Sequence, residues 1–550
     1  MQAARLFGDL EKTEQALTAL GSINPQVLTD TDYIEFSLLS AELGFTKNDL
    51  SLVQLALENP RIQSLATDLE PKSRKRWFLI NGQLQNTLGD HHKSLYFFTR
   101  AAALERDKDL IAVTNDLIWQ VLSQQSKDSL ERNKVLSNDD IIKGWYSLAL
   151  ATRDTQGDLT RQIDAINSWK QAYSGHPASR IMPTNLKAVM SVERTIPKHI
   201  ALLLPRSEKY KLATKTLTQG LLAAYYDTFE KGGQVPDIRT YDTETDSIQN
   251  LYGQAVANGA DLIIGPLRKE KLAELLSGPA PEIPVLALNF IEGQTNPHNS
   301  VFQFGLSIED EASQVADLAW NQGLKAAMTV TPDTSWGKDA RDRFVADWQA
   351  RGGELIANIT YGSNQQDYTE LLKPAFLLHH SRERASRLRQ TLGKSIASNP
   401  SRRRDLDMIF LIANAQQGHQ IKPSLDYLYA ADLPVYATSM INDGKGIKSL
   451  DRDLNGIRFP AMPWSVTAFD TGNLRPDGNL SGSYRNLFAL GADAYELHQW
   501  LSVMNTMPEV TFNGHTGVLS LEVNNHIVRT LPWAHFKNGQ AVPLATQRLN

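Results

Sequence analysis

The sequence predicts an all-α region followed by a doubly wound α/β region, and three observations carry that prediction. Up to about residue 173, apolar residues recur at helical spacing with few β-branched runs. From His199 onward, short continuous apolar runs alternate with helical patterns, as in a parallel sheet layered by helices. Turn formers at Pro205 and Gly265-Pro266 stop two of those runs at their carboxyl ends, the edge where open α/β sheets hold ligands.

Taken in order, Asp32 can cap a helix whose apolar residues are Ile34, Leu38, Leu39 and Leu43. Gly44 can stop it, and Leu50, Val53, Leu55 and Leu57 mark the next helix. A second pair runs from Trp77 through Leu88-Gly-Asp90 to Leu95, Phe98 and Ala101-Ala102-Ala103. Its spacing of large aromatic, small break, aromatic and alanines is that of a tetratricopeptide-type pair. A third pair runs from Gly144-Trp145-Tyr146 to Ile166, Trp169, Tyr173 and Pro177. Stacked pairs of this kind bury a continuous core, so 1–178 is expected to be a helical solenoid-like domain. The turn-rich stretch that follows makes 179–198 the expected linker and 199–550 the α/β domain.

Expected strands in the second region are 199–204, 237–241, 261–264, 284–289, 326–331, 354–361, 406–412 and 434–437. Expected helices include 210–229, 248–258, 308–322, 339–351, 419–430 and a long one over 483–504. Short strands are expected at 517–521, 528–531 and 533–536, and Asn538-Gly539 after the last is a type I′ turn signal.

Composition narrows the function classes. Charged residues make up 21% and apolar residues 41%, ordinary for a globular protein, over a length that fits two to four domains. A net charge of −5 gives no reason to expect nucleic acid as a partner. The sequence has 0 cysteines, which excludes disulfides, thiolate metal sites and a cysteine nucleophile. That absence suits an envelope protein, and it also occurs in cytosolic ones. The first 20 residues are amphipathic and lack a signal-peptide core. Either Met1 is native and the chain cytosolic, or a targeting segment precedes this numbering.

Enzyme motifs are missing at the sequence level: there is no Gly-x-Ser-x-Gly elbow, His-Glu-x-x-His or Gly-x-Gly-x-x-Gly. Gly393-Lys394-Ser395 ends like a phosphate loop, but Leu388 stands where its first glycine belongs. His91-His92 and His379-His380 are adjacent, so neither pair shares a helix face for a metal, and both read as surface histidines. Glu309-Asp310-Glu311 opens a helix, where the dipole favours acids. The sequence therefore reads as a non-enzyme without metal or cofactor.

Specific phrases add a resemblance. Ile200-Ala-Leu-Leu-Leu-Pro205, Gly265-Pro-Leu267, Val285-Leu-Ala-Leu-Asn289, Phe302-Gln-Phe-Gly-Leu-Ser307 and Thr331-Pro-Asp-Thr-Ser-Trp-Gly337 resemble the type I periplasmic-binding-protein fold. So does the ending from Phe512-Asn-Gly-His-Thr-Gly-Val-Leu-Ser-Leu521 to Lys537-Asn-Gly539. With the helical N-terminal region added, nearly the whole chain resembles the LppC family of outer-membrane lipoproteins. The resemblance implies a tetratricopeptide-like domain plus a two-lobed binding-protein-like domain. By analogy lobe one is about 199–306 with 461–510, and lobe two about 307–460 with 511–550.

The family implies a non-enzymatic activator that docks on a bifunctional class A penicillin-binding protein and stimulates peptidoglycan synthesis. It further implies a periplasmic location, anchored to the outer membrane through an N-terminal lipid outside this numbering, with peptidoglycan as a further partner. The other reading is a periplasmic sensor or transport receptor for an amino acid or muropeptide held in the interlobe cleft. By the fold resemblance, that cleft is lined by Arg206, Ser207, Leu267, Arg268, Asn289, Ser335, Trp336 and Ser439. Leu267 stands where amino-acid binders place a hydroxyl, whereas Arg206 and Arg268 would make the mouth positive. An arginine-rich stretch with Arg382, Arg384, Arg387, Arg389, Arg402, Arg403 and Arg404 reads either as a solvated face or as a docking patch for an acidic partner.

Overall fold

A computed structural model describes residues 2–9, 12–47, 49–123, 125–155, 159–191, 196–291, 296–379, 383–384, 387, 390–391, 401–469, 474, 480, 482–508 and 510–544. The chain divides into a helical unit ending at Ser191 and an α/β unit ending at Leu544.

In the helical unit, glycine is placed where neighbouring side chains must come close. Helix Pro71–Thr87 carries Gly82, and a Cβ there would lie 2.6 Å from the Phe98 ring of helix His91–Ala103. Gly144 in helix Asp140–Asp154 does the same for the His176 ring, 2.5 Å from such a Cβ. Trp169 of helix Leu159–Ala172 donates its indole N–H to the Gly144 carbonyl at 3.0 Å. These are the small and aromatic positions of the repeat pattern. Between them lies a further pair, Lys108–Ser123 and Lys127–Leu136.

Two local expectations change. Helix Asp30–Thr46 is capped by Thr29, whose Oγ1 accepts from the Asp32 amide at 3.2 Å, so Asp32 is inside the helix. Gly44 does not stop that helix: it is buried within it, and a Cβ would lie 2.8 Å from Val53 of helix Leu50–Leu57. Within the expected linker 179–198 the chain forms helix Thr184–Ser191, part of the helical unit. The Asp116 carboxylate anchors its start, accepting from the Thr184 amide at 2.7 Å and hydroxyl at 2.8 Å.

The α/β unit has two sheets. In chain order the strands are β1 (His199–Leu204), β2 (Asp237–Asp242), β3 (Leu262–Ile264), β4 (Val285–Ala287) and β5 (Val301–Phe304). They continue with β6 (Ala326–Pro332), β7 (Glu354–Tyr361), β8 (Met408–Leu411), β9 (Val435–Ala437) and β10 (Arg458–Pro460). The last are β11 (Phe512–Asn513), β12 (Val518–Glu522), β13 (His526–Thr530), β14 (Trp533–Lys537) and β15 (Gln540–Pro543). The first sheet runs β11-β12-β13-β5-β4-β3-β1-β2 and the second β15-β14-β10-β9-β8-β6-β7. Strands β1, β3, β4 and β5 pair in parallel and are buried, β1 except at His199, which explains their apolar sequences, broken in β5 by the buried Gln303.

The chain passes between lobes after β5, after β10 and after β13. The assignment of 511–550 to lobe two is therefore corrected. The antiparallel β11–β13 ribbon joins the first sheet, where Ile527 pairs with Phe304, and only β14 and β15 belong to the second. Asn538-Gly539 joins β14 to β15 with both residues at positive φ (53° and 70°), so it closes a hairpin rather than following a last strand. The long helix expected over 483–504 is helix Gly482–Glu496, a short turn at Leu497–Gln499 and helix Leu501–Thr506.

Candidate functional site

The carboxyl edge of the first sheet is built on a close backbone approach. Gly265 has φ 113°, and a Cβ there would lie 2.2 Å from the Leu203 carbonyl oxygen, so only glycine can end β3 against β1. Beyond β1, the Arg206 amide donates to Asp242 at 3.2 Å and its guanidinium donates to the Thr240 hydroxyl of edge strand β2. The Ser207 amide donates to Glu244 at 2.6 Å. Arg268 lies 3.6 Å from the same Glu244 and 3.4 Å from Glu270, with its guanidinium over the Tyr210 ring. Asn289 donates to the Leu267 carbonyl at 2.9 Å and accepts from the Phe290 amide at 3.0 Å. Arg206, Ser207, Arg268 and Asn289 thus each make at least one polar contact within lobe one, while Arg268 Nε is left without a hydrogen-bond partner.

On the second sheet, Ser335 is the exposed first residue of helix Ser335–Ala350, and Trp336 packs against a core cluster that includes Phe344 and Phe410. Ser439 is buried, and both its amide (2.7 Å) and its hydroxyl (2.9 Å) donate to the Glu311 carboxylate. Trp336 and Ser439 are thus held by packing and hydrogen bonds within lobe two, whereas Ser335 is exposed.

What the sequence reading passed over is the junction between the lobes. Glu311, from helix Ile308–Asn321, faces Arg529 of β13 at 3.5 Å, and the two are 3% and 1% exposed. Arg529 also donates to the Ser307 carbonyl at 3.0 Å and the Thr516 carbonyl at 3.4 Å. Burial lifts the Glu311 carboxyl above its ordinary value, while Arg529 and the Ser439 donors pull it back. Gln314 adds two bonds across the crossing, donating to the Arg529 carbonyl at 3.1 Å and accepting from the Leu531 amide at 2.9 Å.

A second buried polar group lies on helix Gly482–Glu496. Asp493 accepts from the His515 amide at 2.6 Å and from the Thr516 amide and hydroxyl at 2.8 and 2.6 Å, so it holds the Gly514–Gly517 turn. Burial, with Glu496 nearby, lifts its carboxyl to about 6 against the pull of His515. His515 stands 3.5 Å from Glu496. Burial opposes its charge, but Glu496 and then Asp493 hold the imidazolium up to about 9. Glu496 Oε2 and His515 Nδ1 are buried without a hydrogen-bond partner. The phrase Asn513-Gly-His-Thr-Gly517 was visible in the sequence, but nothing local ties it to a helix.

The arginine-rich stretch is neutralised at two of its five described arginines. Arg402 pairs with Asp432 at 2.6 Å and Arg403 with Asp405 at 2.7 Å. Arg384, Arg387 and Arg404 are exposed, while Arg382, Arg389 and the Gly393-Lys394-Ser395 phrase lie outside the described residues. His92 is half-buried and stacked on Tyr146 rather than free at the surface, and its Nδ1 lies 3.0 Å from the Tyr146 hydroxyl.

The contacts of the expected cleft residues predict that amino acids leave the thermal midpoint unchanged within about 1 °C, because binding would first have to break bonds inside each lobe. A dose-dependent rise in a thermal-shift titration would restore the receptor reading.

Comparison with known proteins agrees with the two-part architecture. The sequence profile of the family described as "LppC putative lipoprotein" matches residues 1–539. A relative from Photobacterium profundum, named Penicillin-binding protein activator LpoA, is 27% identical over 524 residues, covering 94% of this chain and 84% of its own. A relative of the same name from Haemophilus influenzae is 24% identical over 554 residues, with coverage of 99% and 88%. A solved structure of Haemophilus influenzae LpoA, in a monoclinic form, shares the fold at a TM-score of 0.50 and 22% identity, covering 98% of this chain and 93% of that one. With almost its full length matched by the family profile, the chain belongs to the LppC family.

Proposed function

We propose that this chain is a non-enzymatic activator of a class A penicillin-binding protein, acting in the cell envelope on peptidoglycan synthesis. The observation that carries this reading is similarity along nearly the whole chain to relatives named penicillin-binding protein activators, through both the helical and the α/β unit. The internal pairing of the cleft residues supports it, because it leaves the outer surfaces as the places to act. Activation requires that the chain bind the active conformation of the synthase more tightly than the inactive one, since equal affinity would shift nothing. Anchoring to the outer membrane by a lipid, and contact with peptidoglycan itself, are parts of the same proposal. Immobilised full-length chain should retain a purified class A penicillin-binding protein, and a class B enzyme should pass through. Failure to retain the class A protein at micromolar concentration contradicts the reading.

A further inference from the structure

Asp493 and Glu496 are three positions apart on helix Gly482–Glu496, so they share a face, and the Gly514–Gly517 turn brings His515 to that face. One ligand atom from each lies within 4.8 Å of the other two, and all three residues are buried. We propose that these three side chains form an internal site for one divalent cation of the zinc class.

Three features of the cluster point to a ligand. Glu496 Oε2 is more than nine-tenths buried and has no hydrogen-bond partner, although an unpaired buried carboxylate oxygen is costly. The Glu496 to His515 contact of 3.5 Å is long for a charge-assisted bond, which closes to about 2.8 Å when it forms fully. Two carboxylates against one imidazolium leave one negative charge uncompensated within the cluster, since Asp227 nearby is paired with Lys231. A dication taking the place of the imidazolium proton would neutralise both carboxylates.

The donor set suits that ion. Imidazole nitrogen and carboxylate oxygen both bind zinc, at about 2.0–2.2 Å per ligand, and three protein ligands leave a fourth tetrahedral position for water. Asp493 keeps a free lone pair on Oδ1 after accepting the His515 amide, while Oδ2 is filled by the two Thr516 donors. Glu496 offers either oxygen, and His515 turns Nε2 towards it. Binding draws the three groups inward and ties the turn before β12 to the helix that packs on lobe one. The role is structural, and it is independent of the proposed activation of a synthase.

The full chain, made in zinc-supplemented medium and purified without chelator, should carry about one zinc per molecule by mass spectrometry of the metals. The E496Q/H515Q variant keeps the side-chain volumes and should carry under about a tenth of that, with an unchanged far-ultraviolet spectrum. Crystals of the wild-type chain should show an anomalous peak at the zinc edge between the three side chains. Wild-type protein with less than about a tenth of a zinc per molecule overturns the proposal and leaves an imidazolium–carboxylate cluster. Zinc content that is equal in the variant and the wild type overturns it too, as does an anomalous peak elsewhere only.

Discussion

Replacing Arg529 by methionine is expected to destabilise the α/β unit by about 3–5 kcal/mol, the largest effect of any single substitution considered. The guanidinium is enclosed and makes three contacts that nothing else can take over, with Glu311, the Ser307 carbonyl and the Thr516 carbonyl. Methionine fills much of the volume but leaves Glu311 as a buried charge facing only the Ser439 donors. An unpaired buried charge is penalised far more than a pair is rewarded, so R529M/E311M should lose less than R529M alone. Calorimetry of the full chain checks both: R529M should lower the α/β transition by about 5 °C, with the double variant in between. A shift in R529M of under about 1 °C would show that the junction is not held by this pair.

The second large effect concerns two glycines that face each other across a helix pair. In helix Lys211–Glu230 a Cβ on Gly220 would lie 1.9 Å from the Phe488 carbonyl oxygen. In helix Gly482–Glu496 a Cβ on Gly491 would lie 2.0 Å from the Leu217 carbonyl oxygen. Both obstacles are backbone, so no rotamer change relieves them and the helices must separate. Either G220A or G491A should therefore cost about 2–3 kcal/mol, despite the better helix propensity of alanine. Once one methyl has forced the helices apart the second meets less resistance, so G220A/G491A should cost less than the sum. Urea unfolding monitored at the α/β transition measures this; additive costs would mean that the two contacts yield independently.

These two sites also show where sequence reading succeeds and where it stops. Parallel strands such as Ile200–Leu204 and Leu262–Ile264 were legible because burial on both faces leaves a purely apolar run, whereas β5 and β10, with Gln303 and Arg458 in them, were not expected. The stacked helix pairs were legible because small and aromatic residues recur at fixed spacing. Gly44 was misread because a glycine that permits close packing looks locally like one that ends a helix. Strands β12 and β13 were recognised, β11 was not, and the ribbon was given to the wrong lobe, because alternation in a strand does not say which sheet it joins. In the same way Arg529 sits in a stretch, Ile527-Val-Arg-Thr530, that looks like an edge strand with a solvated charge. Its partner Glu311 lies in an acidic helix start, where the dipole was a sufficient explanation. The expected cleft residues were correctly placed after strand ends, but sequence cannot show that Asp242, Glu244, Glu270 and Glu311 occupy their polar groups.

The measurement that tests the central claim most directly is a reconstituted peptidoglycan-synthesis assay with lipid-linked precursor, a class A penicillin-binding protein and the full-length chain. The predicted result is a saturable increase in cross-linked product, reached at one chain per synthase, with no product from the chain alone. Unchanged synthesis at saturating chain, or turnover of the precursor by the chain itself, would contradict it.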